Sequence, residues 1–146
     1  MNEILGEFKA ILDEAPGRLS RLSDSDAETR PGSGMWSKKE ILGHLIDSAS
    51  NNHQRFVRMQ LEPRISLPSY KQELWVGAQR YQQESWKVMI LAWEGFNRHL
   101  LHVISHVPED KRANLCSLDG KEPVTLEFLM RDYLRHLAHH LQQILD

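Results

Sequence analysis

The feature that most restricts the fold is a regular spacing of large apolar residues in the second half of the chain. Six of them recur at intervals of four, three, four, three and four: Met89, Trp93, Phe96, Leu100, Val103 and Val107. This spacing places all six on one face of a helix, as in a buried seam between packed helices. The pattern predicts a helix that begins between Glu73 and Gln79 and ends before Pro108.

Three further segments have helical periodicity, with approximate limits Asn2–Leu22, Ser37–Gln60 and Thr125–Asp146. In the first, the pair Pro16-Gly17 is expected to kink or split the helix. The second begins with a capping box of Ser37 and Glu40. The intervening stretches 23–35, 61–71 and 110–122 are predicted to be loops, and no β-rich alternating run is longer than a few residues. The sequence therefore predicts an all-α four-helix bundle, with residues 1–146 as a single domain.

The composition limits which partners and which location are expected for this protein. The chain has 18 basic and 20 acidic residues and a net charge of -2, so nothing favours nucleic acid or an anionic membrane as a partner. Its single cysteine, Cys116, excludes an intramolecular disulfide and suits a reducing compartment. No signal peptide and no apolar run of about 20 residues is present, so the expected location is cytoplasmic.

Histidines on the last helix are the first candidates for chemistry. His140 and His136 lie about 70° and 110° from the centre of that helix's apolar stripe, whereas His139 points almost opposite. Because His136 and His140 are four residues apart, their Cβ atoms stand roughly 6 Å apart on one flank. One helix can give two imidazoles to one metal with this spacing. By contrast, the face shared by His99, His102 and His106 is opposite the apolar seam and is predicted to be solvated.

A third histidine lies on the second helix. His44 is about 115° from the centre of its apolar stripe, and Ser48, Asn51 and Arg55 continue the same flank. If this flank faces the last helix, three imidazoles meet and leave coordination positions open for water or substrate. Imidazole suits zinc, nickel, copper and iron alike. The alternative is that the histidines are only a polar flank of a metal-free bundle.

These segments carry a family resemblance. The stretch from Trp36 to Ser48, with Asn51-Asn52 and Arg55-Phe56, resembles the DinB-like superfamily, and within it the YfiT-like branch of metal-dependent hydrolases. The segments 65–70, 75–76 and 133–141 resemble the loop before the family's third helix, the entry into that helix, and its last helix. Together they cover most of the chain in the family's order.

The resemblance implies a four-helix bundle that holds one divalent metal ion, nickel or zinc, through His44, His136 and His140. It also implies a homodimer and a small-molecule substrate. The expected activity is either metal-dependent hydrolysis or transfer to a low-molecular-weight thiol, since a bound cation can acidify either a water or a thiol. A non-enzymatic metal-binding or stress-response module of the same fold is the alternative.

Neighbouring residues complete the predicted site. Asp47 is a candidate proton acceptor or support for a metal ligand, with a surface carboxylate as its alternative. Tyr133, one turn before His136, either donates a hydrogen bond into the site or packs in the core. Polar substrate contacts are expected from Ser48, Asn51 and Arg55, whereas Cys116 is interpreted as an ordinary loop cysteine.

Overall fold

The computed structural model describes the whole chain, Met1–Asp146, and confirms the predicted all-α four-helix bundle. The helices are α1 (Asn2–Leu19), α2 (Asp24–Glu28), α3 (Lys38–Leu61), α4 (Gln72–Gln79), α5 (Trp86–Ser105) and α6 (Leu126–Leu145). The four long ones, α1, α3, α5 and α6, form the bundle. Three short strands are also present: β1 (Arg64–Leu67), β2 (Leu115–Leu118) and β3 (Val124–Thr125). No helix is both long and apolar enough to span a bilayer.

The order of the helices around the bundle differs from their order in the chain. Helix α3 packs against α5 and α6, and α1 packs against the same two helices. The ring order is therefore α1, α5, α3, α6, which places α1 diagonally opposite α3, and α5 diagonally opposite α6. Both the α1–α3 and the α5–α6 connections must cross the end of the bundle. This arrangement makes α3 and α6 direct neighbours.

Helix α1 runs through its proline, so of the two outcomes expected at Pro16-Gly17, a kink or a split, the split does not occur. A proline lacks the N–H that would bond to the carbonyl four residues earlier, here that of Leu12. In the structure Arg98 of α5 donates to this Leu12 oxygen at 3.0 Å. A neighbouring helix thus satisfies the carbonyl that proline leaves free, and the helix continues to Leu19.

The start of α3 is defined as the sequence predicted. The Ser37 hydroxyl accepts from the backbone N–H of Glu40 at 3.1 Å, and the Glu40 carboxylate accepts from the Ser37 N–H at 2.8 Å. The same turn is anchored by Lys39, which is buried and donates to the Glu28 carboxylate and to the carbonyl oxygen of Glu84. These contacts hold α2 and the segment before α5 against the start of α3.

The third predicted helix is present in the structure as two separate helices, α4 and α5. Its expected span is interrupted after Gln79, where Arg80 adopts a left-handed conformation with φ of 52°, and α5 begins anew with Ser85 as its cap. The break contains neither glycine nor proline, so nothing in the local sequence marks it. It turns Gln79 and Tyr81 towards α3, where both contact the candidate site.

A small three-stranded sheet lies at one end of the bundle. Strand β1 pairs with β2 in parallel, and β2 pairs with β3 in antiparallel orientation. Strands of two to four residues are too short to show an alternating pattern, so the sequence did not predict them. The sheet joins the α3–α4 connection to the α5–α6 connection. The buried apolar residues of the bundle form one continuous cluster.

Candidate metal centre

Three histidines from two neighbouring helices converge beside the core. One ring nitrogen from each of His44, His136 and His140 lies within 4.8 Å of the other two. The closest pair is His44 Nε2 and His136 Nε2, which are 3.0 Å apart. The ring centroids of His136 and His140 are 4.5 Å apart, as expected for successive turns of α6. The predicted convergence of α3 with the flank of α6 is therefore present.

Burial determines the ionisation of these rings. His44 is almost completely buried and packs against the ring of Trp36, with centroids 5.2 Å apart. Burial, and to a lesser extent the neighbouring His136 and His140, lower the pKa of His44 to about 4. Burial, with His140 as the next largest cause, likewise lowers the pKa of His136 to about 4. Both imidazoles are therefore neutral near pH 7, and their nitrogen lone pairs are available to a cation.

The orientation of His140 is set by its neighbour Gln143. The Nδ1–H of His140 donates to the Gln143 side-chain oxygen at 2.8 Å, so the Nε2 atom is the one that carries the lone pair. The amide of the same glutamine contacts the exposed His139 at 3.3 Å. In a metal-ligating histidine, a hydrogen bond from the ring nitrogen that does not bind the metal, like that from His140 to Gln143, usually fixes the tautomer. His139 lies outside the cluster, as the helical phase predicted.

The donor set fits a divalent cation. All three donors are imidazole nitrogens, and the 3.0 Å between the Nε2 atoms of His44 and His136 is close to the ~3.4 Å that two nitrogen ligands keep on a tetrahedral zinc. The two facing Nε2 atoms, one on a buried and one on a half-buried neutral ring, can either share one proton in a hydrogen bond or both direct their lone pairs at a cation. No carboxylate lies among the three ligands, so zinc, nickel, copper and iron remain compatible with the site.

Asp47, one turn after His44, is buried and is not a surface carboxylate. Its Oδ1 atom accepts from the Tyr81 hydroxyl at 2.7 Å and from the Gln79 amide at 2.6 Å, while its Oδ2 atom has no partner. Burial raises the pKa of this carboxyl, against the lowering effect of the two hydrogen bonds. The Tyr81 ring that holds Asp47 lies directly against Gly43, where only a hydrogen leaves room for it.

Tyr133 packs in the core, which was one of the two alternatives predicted for it. Its ring contacts Phe8 and Phe56, with centroids 6.1 and 6.0 Å away, and its hydroxyl donates to the buried Asn97 side chain. This hydrogen bond uses the hydroxyl proton, so Tyr133 does not donate into the site, which was the other alternative. One edge of Tyr133 still lines a cleft next to His136.

The predicted substrate-binding residues are divided between two surfaces. Ser48 and Arg55 line the cleft next to His136, together with Asn52. Asn51 lies outside this cleft and donates to the Asp47 backbone oxygen at 2.9 Å. Asn51 and Asn52 lie on opposite sides of the line that joins Ser48 to Arg55 on α3, and the cleft opens on the side of Asn52. The sequence therefore identified the correct helix face but not Asn52.

Tyr70 is a second residue of the cleft that the sequence did not predict. It reaches the cleft from the segment after β1, and Asp119 holds this segment by accepting from the Ser69 N–H at 3.0 Å. Burial, followed by the charge of Asp47, raises the pKa of the Tyr70 hydroxyl. The only available signal was the resemblance of residues 65–70 to the family's loop, because the sheet that positions this loop is not visible in the sequence.

The remaining candidates stay apart from the centre. His99, His102 and His106 are exposed on α5, as predicted. Cys116 lies in β2 rather than in a loop and is buried, which raises the pKa of its thiol. Burial and a raised pKa both oppose formation of a thiolate, in agreement with an inert cysteine.

Together these features define a three-histidine centre of the kind that holds a divalent metal, built between two helices of a four-helix bundle. The chain belongs to the DinB superfamily, whose family model matches residues 7–144.

Two curated relatives carry the provisional description of metal-dependent hydrolase. YfiT of Bacillus subtilis (strain 168) is 24% identical over 142 residues, which cover 93% of this chain and 79% of YfiT. A protein of Bacillus mycoides (strain KBAB4) is 26% identical over 77 residues, covering 50% of this chain and 44% of that protein.

Two solved structures share the fold. The structure of Bacillus subtilis YfiT, described as having an unusual four-helix bundle topology, has a TM-score of 0.83 at 21% identity and covers 99% of this chain and 85% of its own. The DinB-like protein YjoA of Bacillus subtilis has a TM-score of 0.62 at 15% identity, with 97% and 87% covered.

Proposed function

We propose that this protein is a divalent-metal-dependent hydrolase of a small molecule, with His44, His136 and His140 as the metal ligands. The observation that carries the proposal is the convergence of three imidazole nitrogens within 4.8 Å from separate helices. The provisional description of the Bacillus relatives as metal-dependent hydrolases supports the same activity. A divalent cation bound there supplies Lewis acidity, which lowers the pKa of water towards neutrality.

Two features of the chain favour the binding of a cation by these histidines. Burial keeps His44 and His136 neutral, so no proton has to leave these rings before a cation binds near pH 7. The hydrogen bond from His140 to Gln143 holds the third ring in one tautomer. Both effects lower the cost of assembling the ligand set.

Asp47 is assigned as the proton acceptor. It lies one turn from His44, its Oδ2 atom is free of hydrogen bonds, and its other oxygen is held by Tyr81 and Gln79. Burial raises its pKa towards the range in which a carboxylate accepts a proton from an attacking water more readily. In this role Asp47 Oδ2 would take the proton as the water oxygen bonds to the substrate's acyl carbon, and would pass it to the leaving oxygen or nitrogen as the bond between that atom and the acyl carbon breaks.

The metal site is tested by elemental analysis of protein purified without a histidine tag. The wild type is expected to hold about one divalent ion per chain, and the His44→Ala/His136→Ala variant none. The matched control His99→Ala/His102→Ala removes two exposed histidines and is expected to keep the metal. A double variant that holds as much metal as the wild type would refute these ligands, and no metal in any of the three proteins would favour a metal-free bundle.

The reaction is tested with a panel of esters, lactones and amides, each with and without bacillithiol, mycothiol or glutathione. Turnover that requires metal but no thiol supports hydrolysis, whereas turnover only with a thiol identifies S-transfer. Full metal occupancy without turnover would favour the non-enzymatic module. Nickel or zinc as the native ion, and the homodimer, stay predictions that the elemental analysis and light scattering of the same sample address.

A further inference from the structure

A cleft of about 180 Å³ opens beside His136, between α3, α6 and the segment after β1. Its floor on α3 is formed by Ser48, Asn52 and Arg55, whose spacing of four and three places them on one face. Tyr70 closes one side, and Asp132 lies on α6, four residues before His136. The cleft therefore leads from the candidate metal centre along α3 to the side chain of Arg55.

Arg55 is the only cationic side chain that lines this cleft, and no carboxylate oxygen lies within 4.0 Å of its guanidinium. Its one side-chain hydrogen bond is a long contact of 3.5 Å to the Asn52 oxygen. A guanidinium has five N–H donors in a fork that matches a carboxylate. A half-buried arginine with one weak bond has most of these donors unused.

The carboxylates near Arg55 form their ion pairs and hydrogen bonds with other residues. Asp132, which also lines the cleft, forms an ion pair with Arg135 on the outer face of α6. The charge of Arg55 contributes to lowering the pKa of Asp119, but that carboxylate accepts from the backbone N–H and the hydroxyl of Ser69. The cleft thus retains a positive charge that no protein group neutralises by direct contact.

We propose that this cleft is a subsite for a substrate carboxylate, which Arg55 binds while the reacting bond lies at the three histidines. This proposal rests on the hydrolase function proposed above. A single cation balances one negative charge, which favours a carboxylate over a phosphate dianion. The hydroxyls of Ser48 and Tyr70 lie between Arg55 and the histidines and offer polar contacts to the intervening part of the substrate.

The geometry also sets the size of the substrate. His44 and Arg55 are eleven residues apart, or roughly 16 Å along the helix axis. Both side chains lean towards the N-terminus of the helix, and the longer Arg55 side chain reaches further back than the His44 ring, which closes part of this separation. The carboxylate and the reacting bond are therefore on the order of 10–15 Å apart, as in an acyl chain with one terminal acid.

The test is calorimetric titration of the zinc-loaded full chain with linear hydroxamates that carry either a terminal carboxylate or the matching neutral primary amide. Acetohydroxamate, which has no tail, measures binding to the metal alone. In the wild type the acid is expected to bind at least about tenfold more tightly than the amide, because a charge-assisted hydrogen bond is lost with the amide. Arg55→Gln is expected to abolish this preference, and Arg55→Lys to restore part of it.

Arg58→Gln is the matched control, since it removes the same charge from an exposed arginine one turn further along α3. It is expected to keep the preference for the acid. Equal affinity for acid and amide in the wild type, with acetohydroxamate bound, would overturn the carboxylate subsite and leave the metal site intact. Failure of acetohydroxamate to bind would overturn both proposals. Because the wild-type comparison decides without any substitution, an unstable Arg55→Gln protein does not weaken the test.

Discussion

Replacing Gly43 by alanine tests whether one close contact supports the candidate site. A Cβ atom at this position would lie 2.1 Å from Cδ2 of the Tyr81 ring, more than 1 Å closer than the 3.4 Å at which ordinary contact begins. The Tyr81 ring must therefore move, and its 2.7 Å hydrogen bond to the buried Asp47 breaks. Gly43 lies within α3, so the backbone of the helix has little freedom to absorb the clash.

The expected change in the free energy of unfolding is the sum of three contributions. Overpacking costs about 1–3 kcal/mol, and a lost hydrogen bond to a buried carboxylate costs about 1.5–3 kcal/mol. The higher helix propensity of alanine returns about 1 kcal/mol. Gly43→Ala is thus expected to lower the free energy of unfolding by about 1.5–5 kcal/mol, measured by urea denaturation followed by circular dichroism.

Gly95→Ala is the control within the same protein. Gly95 lies in α5 and is exposed, and no atom lies within 4 Å of the position its Cβ would take. This variant is expected to gain about 0.5–1 kcal/mol, since only helix propensity changes. If Gly43→Ala proved as stable as Gly95→Ala, the inferred contact between Gly43 and Tyr81 would be wrong.

Three further predictions concern stability. In the metal-free protein the pKa values of His44 and His136 are lowered to about 4, so only the unfolded state takes up their protons as the pH falls from 6.5. The free energy of unfolding is expected to drop by roughly 3–5 kcal/mol between pH 6.5 and 4, and His44→Ala/His136→Ala should flatten this slope in urea titrations. Lys39→Met leaves the Glu84 carbonyl without its donor and should cost about 2–3 kcal/mol, whereas Lys38→Met should be nearly neutral in the same assay. Tyr133→Phe removes a buried hydroxyl that donates to Asn97 and should lower the free energy of unfolding by about 1–2 kcal/mol, visible as a lower Tm by calorimetry.

The sequence by itself determined the helices and the faces on which their histidines lie. Helical period is a local property, so the apolar stripe of α6 was sufficient to separate His136 and His140 from His139. The capping box predicted where α3 begins, and the apolar stripe of that helix placed His44 on its flank. The all-α bundle followed from the same periodicity, repeated in four segments.

Only the tertiary structure decided what surrounds those histidines. The ring order that makes α3 and α6 neighbours joins His44 to His136 across 92 residues of chain. The break after Gln79 contains neither glycine nor proline. Arg80 adopts its left-handed conformation there next to Tyr81, which packs on the distant Gly43 of α3. Tyr70 depends on a sheet whose strands pair residues about 50 positions apart. Such contacts depend on the free energy of the whole packed chain, which no short window of sequence encodes.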